Sequence, residues 1–244
     1  MEHYLEHFSG DELFCRHLMD MKERVLERYV PVLLDFMNPH EIAVASKLIG
    51  KNNGVEISFN GGIKDAEMQR GLIHMRDDKI TEEDFKIVVM ALSYPGKFVK
   101  ISHRDVLGAL MHLGLKRELY GDIVVEENTA YFACAKHIGD YLKANLTHIG
   151  KGSVRIKQAT KEIVHHQDYR QIQVSIPSFR LDAIISEAFH LSRKEASQYI
   201  LSNFVKVNYK EVVQTNYLCH NMDIISLRKY GRIKLVDLEK TNRK

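Results

Sequence analysis

Apolar residues recur along this chain at two periods, and the switching between them lays out its elements. Leu13, Phe14, His17, Leu18, Met21, Val25 and Leu26 share one face at helical spacing, with charges opposite. Pro31 interrupts or ends that helix. Asn38-Pro39-His40-Glu41 opens a second one, with Asn as cap, Pro at the first helical position and Glu at the third. Residues 1 to about 50 thus read as two helices, the second turning Val44, Leu48 and Ile49 inward before Gly50. Val55 to Phe59 alternates apolar and polar positions, as a half-buried strand does. Gly61-Gly62 turns the chain, and Asp65 to His74 reads as a helix carrying Arg70.

From Thr81 to about Lys157 the periods switch in a definite order. Phe85 to Leu92 is a β-rich run, broken by Tyr94-Pro95-Gly96. Ser102 to Asp105 opens a helix with Val106, Leu107, Leu110, Met111 and Leu113 inward. Gly121 to Glu126 and Thr129 to Cys134 are strands joined through Glu127-Asn128. Ile138 to Leu146 is helical, and Ser153 begins a last strand. The order β-α-β-β-α-β is the ferredoxin-like arrangement, which RNA-recognition-motif domains share. Their aromatic signature is absent here: Tyr131 and Phe132 occupy opposite faces of one strand, so only one of them could meet RNA. The plainer reading makes one a core aromatic and the other a surface aromatic. Arg104, Lys116 and Arg117 flank a helix and its following loop. They form a candidate second RNA patch, or equally a solvated helix end.

Residues 158–176 are polar and read as a linker or an edge strand, since Arg170 to Val174 alternates. Leu181, Ile184, Ile185, Ala188 and Phe189 then make one apolar helical face. Ser192 followed by Glu195 is a capping box, which places Arg193 and Lys194 on a rigid helix start, where backbone N–H donors favour phosphate. Val205 to Val212 alternates around Asn208-Tyr209 as a hairpin does, projecting Lys206 and Lys210. Arg228 to Lys234, with Lys229 and Arg232, is the densest basic stretch. Tyr230 within it can stack on a base or ribose; a charged edge that blunts aggregation is the alternative. Lys240 to Lys244 reads as a basic tail.

Composition sharpens this division. Residues 1–150 carry 18 Lys and Arg against 23 Asp and Glu, a balance of −5. Residues 151–244 carry 17 against 9, a balance of +8. The positive surplus coincides with the basic helix start and hairpin, as polyanion binding requires. Cys15, Cys134 and Cys219 are far apart and form no Cys-x-x-Cys pair, so neither zinc nor a disulfide framework is indicated. Adjacent His165 and His166 point apart on a strand and suggest no metal site. The acidic start Met1 to His7 lacks the pattern of a signal peptide, and no apolar run is long enough to span a bilayer. The expectation is a cytoplasmic protein without metal, cofactor or small-molecule substrate.

At Arg180-Leu181-Asp182, Ser192-Arg193-Lys194-Glu195-Ala196, Val205-Lys206-Val207-Asn208 and Asp223-Ile224-Ile225 the chain resembles the RNA-binding domain named after small-subunit ribosomal protein four, here the S-four domain. Three positions depart from its pattern: Asn203, Tyr209 and Met222 stand where glycines are expected. Asn tolerates a left-handed backbone, whereas Tyr and Met do so poorly. The resemblance widens with Phe36 to Glu41, Ser102 to Gly114, Lys116 to Val125 and Arg228 to Arg232, which together look like the bacterial YlmH family. It implies an α+β protein of an N-terminal α+β module (1–79), a central ferredoxin-like RNA-binding module (80–160), a linker or edge strand (161–176) and an S-four-like domain (177–244). It further implies binding to rRNA or tRNA, association with large ribosomal subunits carrying stalled peptidyl-tRNA, and a gene near those of cell division.

The residues expected to meet RNA are Arg180, Arg193, Lys194, Lys206, Lys210, Arg228, Lys229, Arg232 and Lys234, with Ser192 holding the helix start and Asn208 shaping the hairpin. Enzymatic signatures fail one by one. His137-Ile138-Gly139-Asp140 ends in the wrong residue for a synthetase motif and has no Lys-Met-Ser-Lys-Ser partner. Gly61-Gly62 lacks the further glycines of a methyltransferase cofactor loop. Phosphate-loop and Gly-x-Ser-x-Gly signatures are absent, and no nucleophile accompanies His103 and Asp105. A non-catalytic RNA-binding protein is therefore expected. A protein adaptor in cell division and an RNA-modifying enzyme with an unrecognised site are the alternatives.

Overall fold

The computed structural model describes residues 10–50, 54–96, 99–165 and 170–238, and divides the chain into two compact units, Met1–Gln167 and Asp168–Lys244. Helix α1 (Glu12–Arg28) leads to strand β1 (Val32–Met37), and helix α2 (Pro39–Ile49) follows under a complete capping box between Asn38 and Glu41. Strand β1 corrects the two-helix reading of this region. Its six residues lie between Pro31 and the Asn38 cap, too few for a helix and apolar enough for a buried strand. Strands β2 (Val55–Asn60) and β3 (Gln69–Met75) complete an antiparallel sheet of order β1-β3-β2. Its helical side packs Val55 and Ile73 on Cys15, Leu18, Val25, Val44 and Leu48.

Strand β3 overturns the helix expected over Asp65 to His74. It is the central strand, and Leu72 and Ile73 on its two faces are 3% and 0% exposed, so its sequence lacks the alternation that marks a half-buried strand. Gly71 belongs there because a Cβ would come within 2.7 Å of the Met37 side chain. Arg70 is buried, donating from Nε to the Leu34 carbonyl at 2.9 Å and from Nη1 to the Phe85 carbonyl at 3.1 Å. Burial lowers its pKa, opposed by Asp35. It joins β1 to the chain entering the next strand.

Strand β4 (Ile87–Ser93), helix α3 (His103–His112), strands β5 (Tyr120–Val125) and β6 (Thr129–Ala135), and helix α4 (Gly139–Asn145) follow. After a short hairpin of β7 (His148–Ile149) and β8 (Gly152–Ser153) comes β9 (Arg155–Gln158). The sheet order β5-β6-β4-β9, antiparallel throughout, is that of a ferredoxin-like module. Ser102 caps α3 by a reciprocal pair with Asp105. Met90, Leu92, Ile123 and Phe132 face Val106, Leu110 and Leu142 of the two helices. On the opposite face Ala91, Tyr131 and Ala133 cluster with Phe36, Ile63, Ala66 and Ile163. Tyr131 and Phe132 are 8% and 0% exposed, so both are core and the expectation of one surface aromatic is corrected. The N-terminal sheet and residues 159–163 cover the face that RNA-recognition-motif domains leave open for bases.

The second unit holds helices α5 (Leu181–Ala188) and α6 (Arg193–Leu201) and strands β10 (Val205–Val207), β11 (Lys210–Glu211), β12 (Ile224–Leu227) and β13 (Gly231–Lys234). The strands form an antiparallel sheet of order β11-β10-β12-β13. Leu181, Ile184, Ile185, Ala196 and Ile200 of the helices pack on Val205, Val207, Ile225 and Leu227, giving this unit its own core. Residues 170–176 join no strand, so the alternation from Arg170 to Val174 does not build an edge strand. The chain mixes helices with antiparallel sheets as an α+β fold.

Asn203, Tyr209 and Met222 have φ of 60°, 69° and 71°. The three positions expected to hold glycine all take the left-handed backbone that glycine would supply. Asn208 has φ 49°, so two consecutive left-handed residues form the tight hairpin turn between β10 and β11.

Candidate nucleic-acid interface

The charged centre of the second unit grows from the start of α5. Arg180 is its cap residue in extended conformation, bridged to Leu218 of the loop before β12. The first N–H groups of α5 are taken by that loop: Leu181 N donates to the Tyr217 carbonyl at 2.8 Å and Asp182 N to that of Thr215 at 3.2 Å. The start of α5 therefore offers side chains to an anion, with its leading amides already engaged. Asp182, in the first turn, has a side chain only 6% exposed. Its carboxylate accepts from Arg180 Nε at 3.2 Å and Nη2 at 3.0 Å, and from Arg193 Nη2 at 3.0 Å.

Two guanidinium groups on one carboxylate leave a net positive charge, and each remains close to half exposed. A guanidinium has five N–H donors in a fixed fork, so fixing part of each fork on Asp182 orients the remainder toward solvent. Hydrogen bonding to Asp182 raises the pKa of Arg180 further above its ordinary value. Ser192 positions Arg193: its Oγ accepts from Glu195 N at 3.2 Å, while Glu195 Oε2 accepts from Ser192 N at 2.8 Å and Oγ at 2.7 Å. These bonds hold the Glu195 carboxyl below its ordinary pKa. Lys194 stands exposed on the same turn.

The remaining cations gather elsewhere on the unit. Lys206, Ser226 and Arg232 lie in register across β10, β12 and β13, and Lys234 pairs with Ile224 in the next row but one of that pleated face. This face is opposite the one carrying Val205, Val207, Ile225 and Leu227, so Lys206, Arg232 and Lys234 point away from the helices. Lys206 approaches Glu211 at 3.8 Å, and Arg232 lies over the Tyr209 ring at 5.2 Å. Lys210 is half-buried opposite Val207. Arg228 and Lys229 form the exposed turn between β12 and β13, with the Arg228 guanidinium 5.3 Å from the Phe204 ring centre. Asn208 holds the frame: its Nδ2 donates to Asp223 Oδ1 at 2.8 Å and its Oδ1 accepts from Ile224 N at 2.9 Å.

In the first unit, Arg104 and Lys116 are exposed, whereas Arg117 folds onto Tyr120 with its guanidinium 4.9 Å from the ring centre. Burial lowers the Arg117 pKa, and Nη1 donates to the Tyr120 carbonyl. Arg117 is thus spent on packing, which leaves the expected second patch two open cations. His165 Nδ1 lies 3.1 Å from buried Asp122, while His166 and the tail from Lys240 fall outside the described residues. Among the described residues no three His, Cys, Asp or Glu side chains gather as a metal site. No helix among them is long and apolar enough to cross a membrane.

Asp182, the carboxylate that holds both arginines, is not among the residues expected to meet RNA. The signal was present in the spacing, since a carboxylate two residues after an arginine at a helix start can hold that arginine across the cap.

Two family models match the first unit: "YlmH, N-terminal" over residues 11–77 and "Putative RNA-binding domain in YlmH" over residues 81–162. Across 247 residues the chain is 31% identical to the "Ribosome-associated protein quality control protein P2" of Bacillus subtilis (strain 168), spanning 100% of this chain and 96% of that protein. This chain belongs to the YlmH family. A solved YlmH structure, "Cell division protein ylmH from Streptococcus pneumoniae", is similar with TM-score 0.54 and 28% identity, over 62% of this chain and 92% of that one. The YlmH model over residues 81–162 falls on the ferredoxin-like sheet, whose second face is the one covered by the YlmH N-terminal module.

Proposed function

We propose that this chain is a non-catalytic protein that binds structured RNA, with rRNA or tRNA on the large ribosomal subunit as its target and stalled translation complexes as its setting. The observation that carries the reading is the Arg180–Asp182–Arg193 cluster, in which one buried carboxylate aims two half-exposed guanidinium groups. Arginine forks suit phosphate oxygens, and the surrounding +8 balance of residues 151–244 supplies long-range attraction. The S-four-like arrangement of the second unit supports the same reading through its motif residues. So do the description of the matched central module and the ribosome association named for the Bacillus relative.

Sedimentation of cell lysate on sucrose gradients, with and without RNase, tests it. The wild type should travel with large ribosomal subunits, and RNase should release it. A Lys194→Glu/Lys234→Glu variant, reversing two exposed cations, should remain near the top. Free sedimentation of the wild type throughout would contradict the ribosomal reading. The name of the Streptococcus neighbour favours the adaptor reading as second choice; association that survives RNase and both charge reversals is its signature.

A further inference from the structure

The turn between β12 and β13 carries an aromatic arrangement that phosphate capture does not require. Tyr230 is 44% exposed, yet its ring is braced from two sides. Tyr199 of α6 meets it edge-to-face with centroids 5.5 Å apart, and Phe189 at the end of α5 does so at 6.0 Å. The Tyr230 and Tyr199 hydroxyls are 3.2 Å apart. Tyr199 packs in turn on Phe204, and Arg228 covers Phe204. The turn beneath is equally fixed: Tyr230 N donates to the Leu227 carbonyl at 3.1 Å, and Arg228 N to that of Phe204 at 2.9 Å.

A half-exposed tyrosine held this way has already lost the rotamer freedom that stacking would otherwise cost. Edge protection does not account for it, because the exposed charges of Arg228 and Lys229 already blunt this end of the sheet. We propose that Tyr230 is a stacking platform for a single unpaired nucleotide, with Arg228 and Lys229 taking its flanking phosphates. The inference rests on the RNA-binding reading and names the RNA more closely. A base inside a duplex has both faces covered by neighbours, so only a nucleotide extruded from a bulge, loop or end can lie on the ring. Base identity matters little, since every base has a π-face. Tyr199 follows Arg193 by six residues on α6, about 9 Å along the axis. Helix α6 thus carries both Arg193 of the arginine cluster and Tyr199, the brace of the platform. The preferred RNA is a paired stem with an unpaired nucleotide beside it.

The test compares two RNA hairpins that differ only in one bulged 2-aminopurine, binding to the full-length protein by fluorescence anisotropy and by 2-aminopurine emission. The wild type should bind the bulged hairpin more tightly and change its emission. Tyr230→Phe should keep both effects. Tyr230→Ala, and Tyr230→Leu, which retains apolar packing on Tyr199 and Phe189, should each weaken the bulged hairpin about tenfold and leave the fully paired one unchanged. Equal weakening of both hairpins, or of neither, would overturn the platform while leaving RNA binding in place. Failure of the wild type to bind either hairpin would remove the RNA-binding reading and the platform with it.

Discussion

Arg193 of α6 donates to Asp182 of α5 at 3.0 Å, so one hydrogen bond locks the two helices of the second unit together at their starts. The same oxygen accepts from Arg180 Nη2 at 3.0 Å. Charge alone and orientation make opposite predictions for Asp182→Asn. The substitution raises the net charge by one, which would tighten RNA binding if attraction were everything. It also loosens both arginine forks, and the expected outcome is weaker binding at fixed salt, measured by anisotropy. Stability should fall by about 1 kcal/mol: charge-assisted hydrogen bonds are lost, but both guanidinium groups remain near water.

Ser192→Ala separates helix capping from RNA contact. It should lower folding stability by about 1 kcal/mol in denaturant melts. The Glu195 carboxyl, held below its ordinary 4.5 by Ser192, should move upward in an NMR titration of the variant. The sign follows from linkage: a depressed carboxyl pKa stabilises the fold above the unfolded value, and that stability is lost as pH falls through the folded value. The pH dependence of stability below about 4.5 should therefore be shallower in Ser192→Ala.

Met222 pairs a φ of 71° with 59% exposure, so its side chain can be removed with little loss of packing. Met222→Gly relieves a left-handed penalty of about 1 kcal/mol, offset in part by the greater freedom of glycine in the unfolded chain. The expected melting temperature is equal to or slightly above the wild type. Met222→Val, β-branched at the same φ, should melt lower. Tyr209→Gly differs, because the Tyr209 ring carries Arg232 and its loss should cancel the backbone relief.

Cys134 and Cys219 are 0% and 3% exposed, and burial pushes both thiols up to about 12. Neither should react with iodoacetamide in the folded protein at neutral pH, and both should label in denaturant, as read by mass spectrometry. Labelling of Cys219 in the native state would show that the loop from Val212 to Asp223 opens.

Most of this fold was legible where a capping residue or a clean period marked it. Asn38, Ser102 and Ser192 each begin a helix through the reciprocal bond that their spacing to Glu41, Asp105 and Glu195 predicts. The ferredoxin-like order was legible because its strands and helices alternate in period. Strands β1 and β3 were not, because burial on two faces removes the alternation by which a strand is recognised. The same cause hid the fate of Tyr131: its strand gives no hint that residues around Phe36 and Ile163 cover that face. In the candidate site, cation positions were readable from the charge runs. What each cation does was not: Arg117 packs on Tyr120 and Arg180 on Asp182, and only tertiary distances distinguish a spent guanidinium from one aimed at solvent.

The most direct test of the account is the affinity of full-length protein for a structured RNA over a salt series, for wild type and Arg193→Ala. Alanine leaves Asp182 paired with Arg180, so the fold is retained, whereas glutamate would set a second carboxylate beside a buried one. Arg193→Ala should bind every structured RNA tried more weakly, with a log–log salt slope smaller by about one unit. Superimposable curves for the two proteins, both folded, would contradict it.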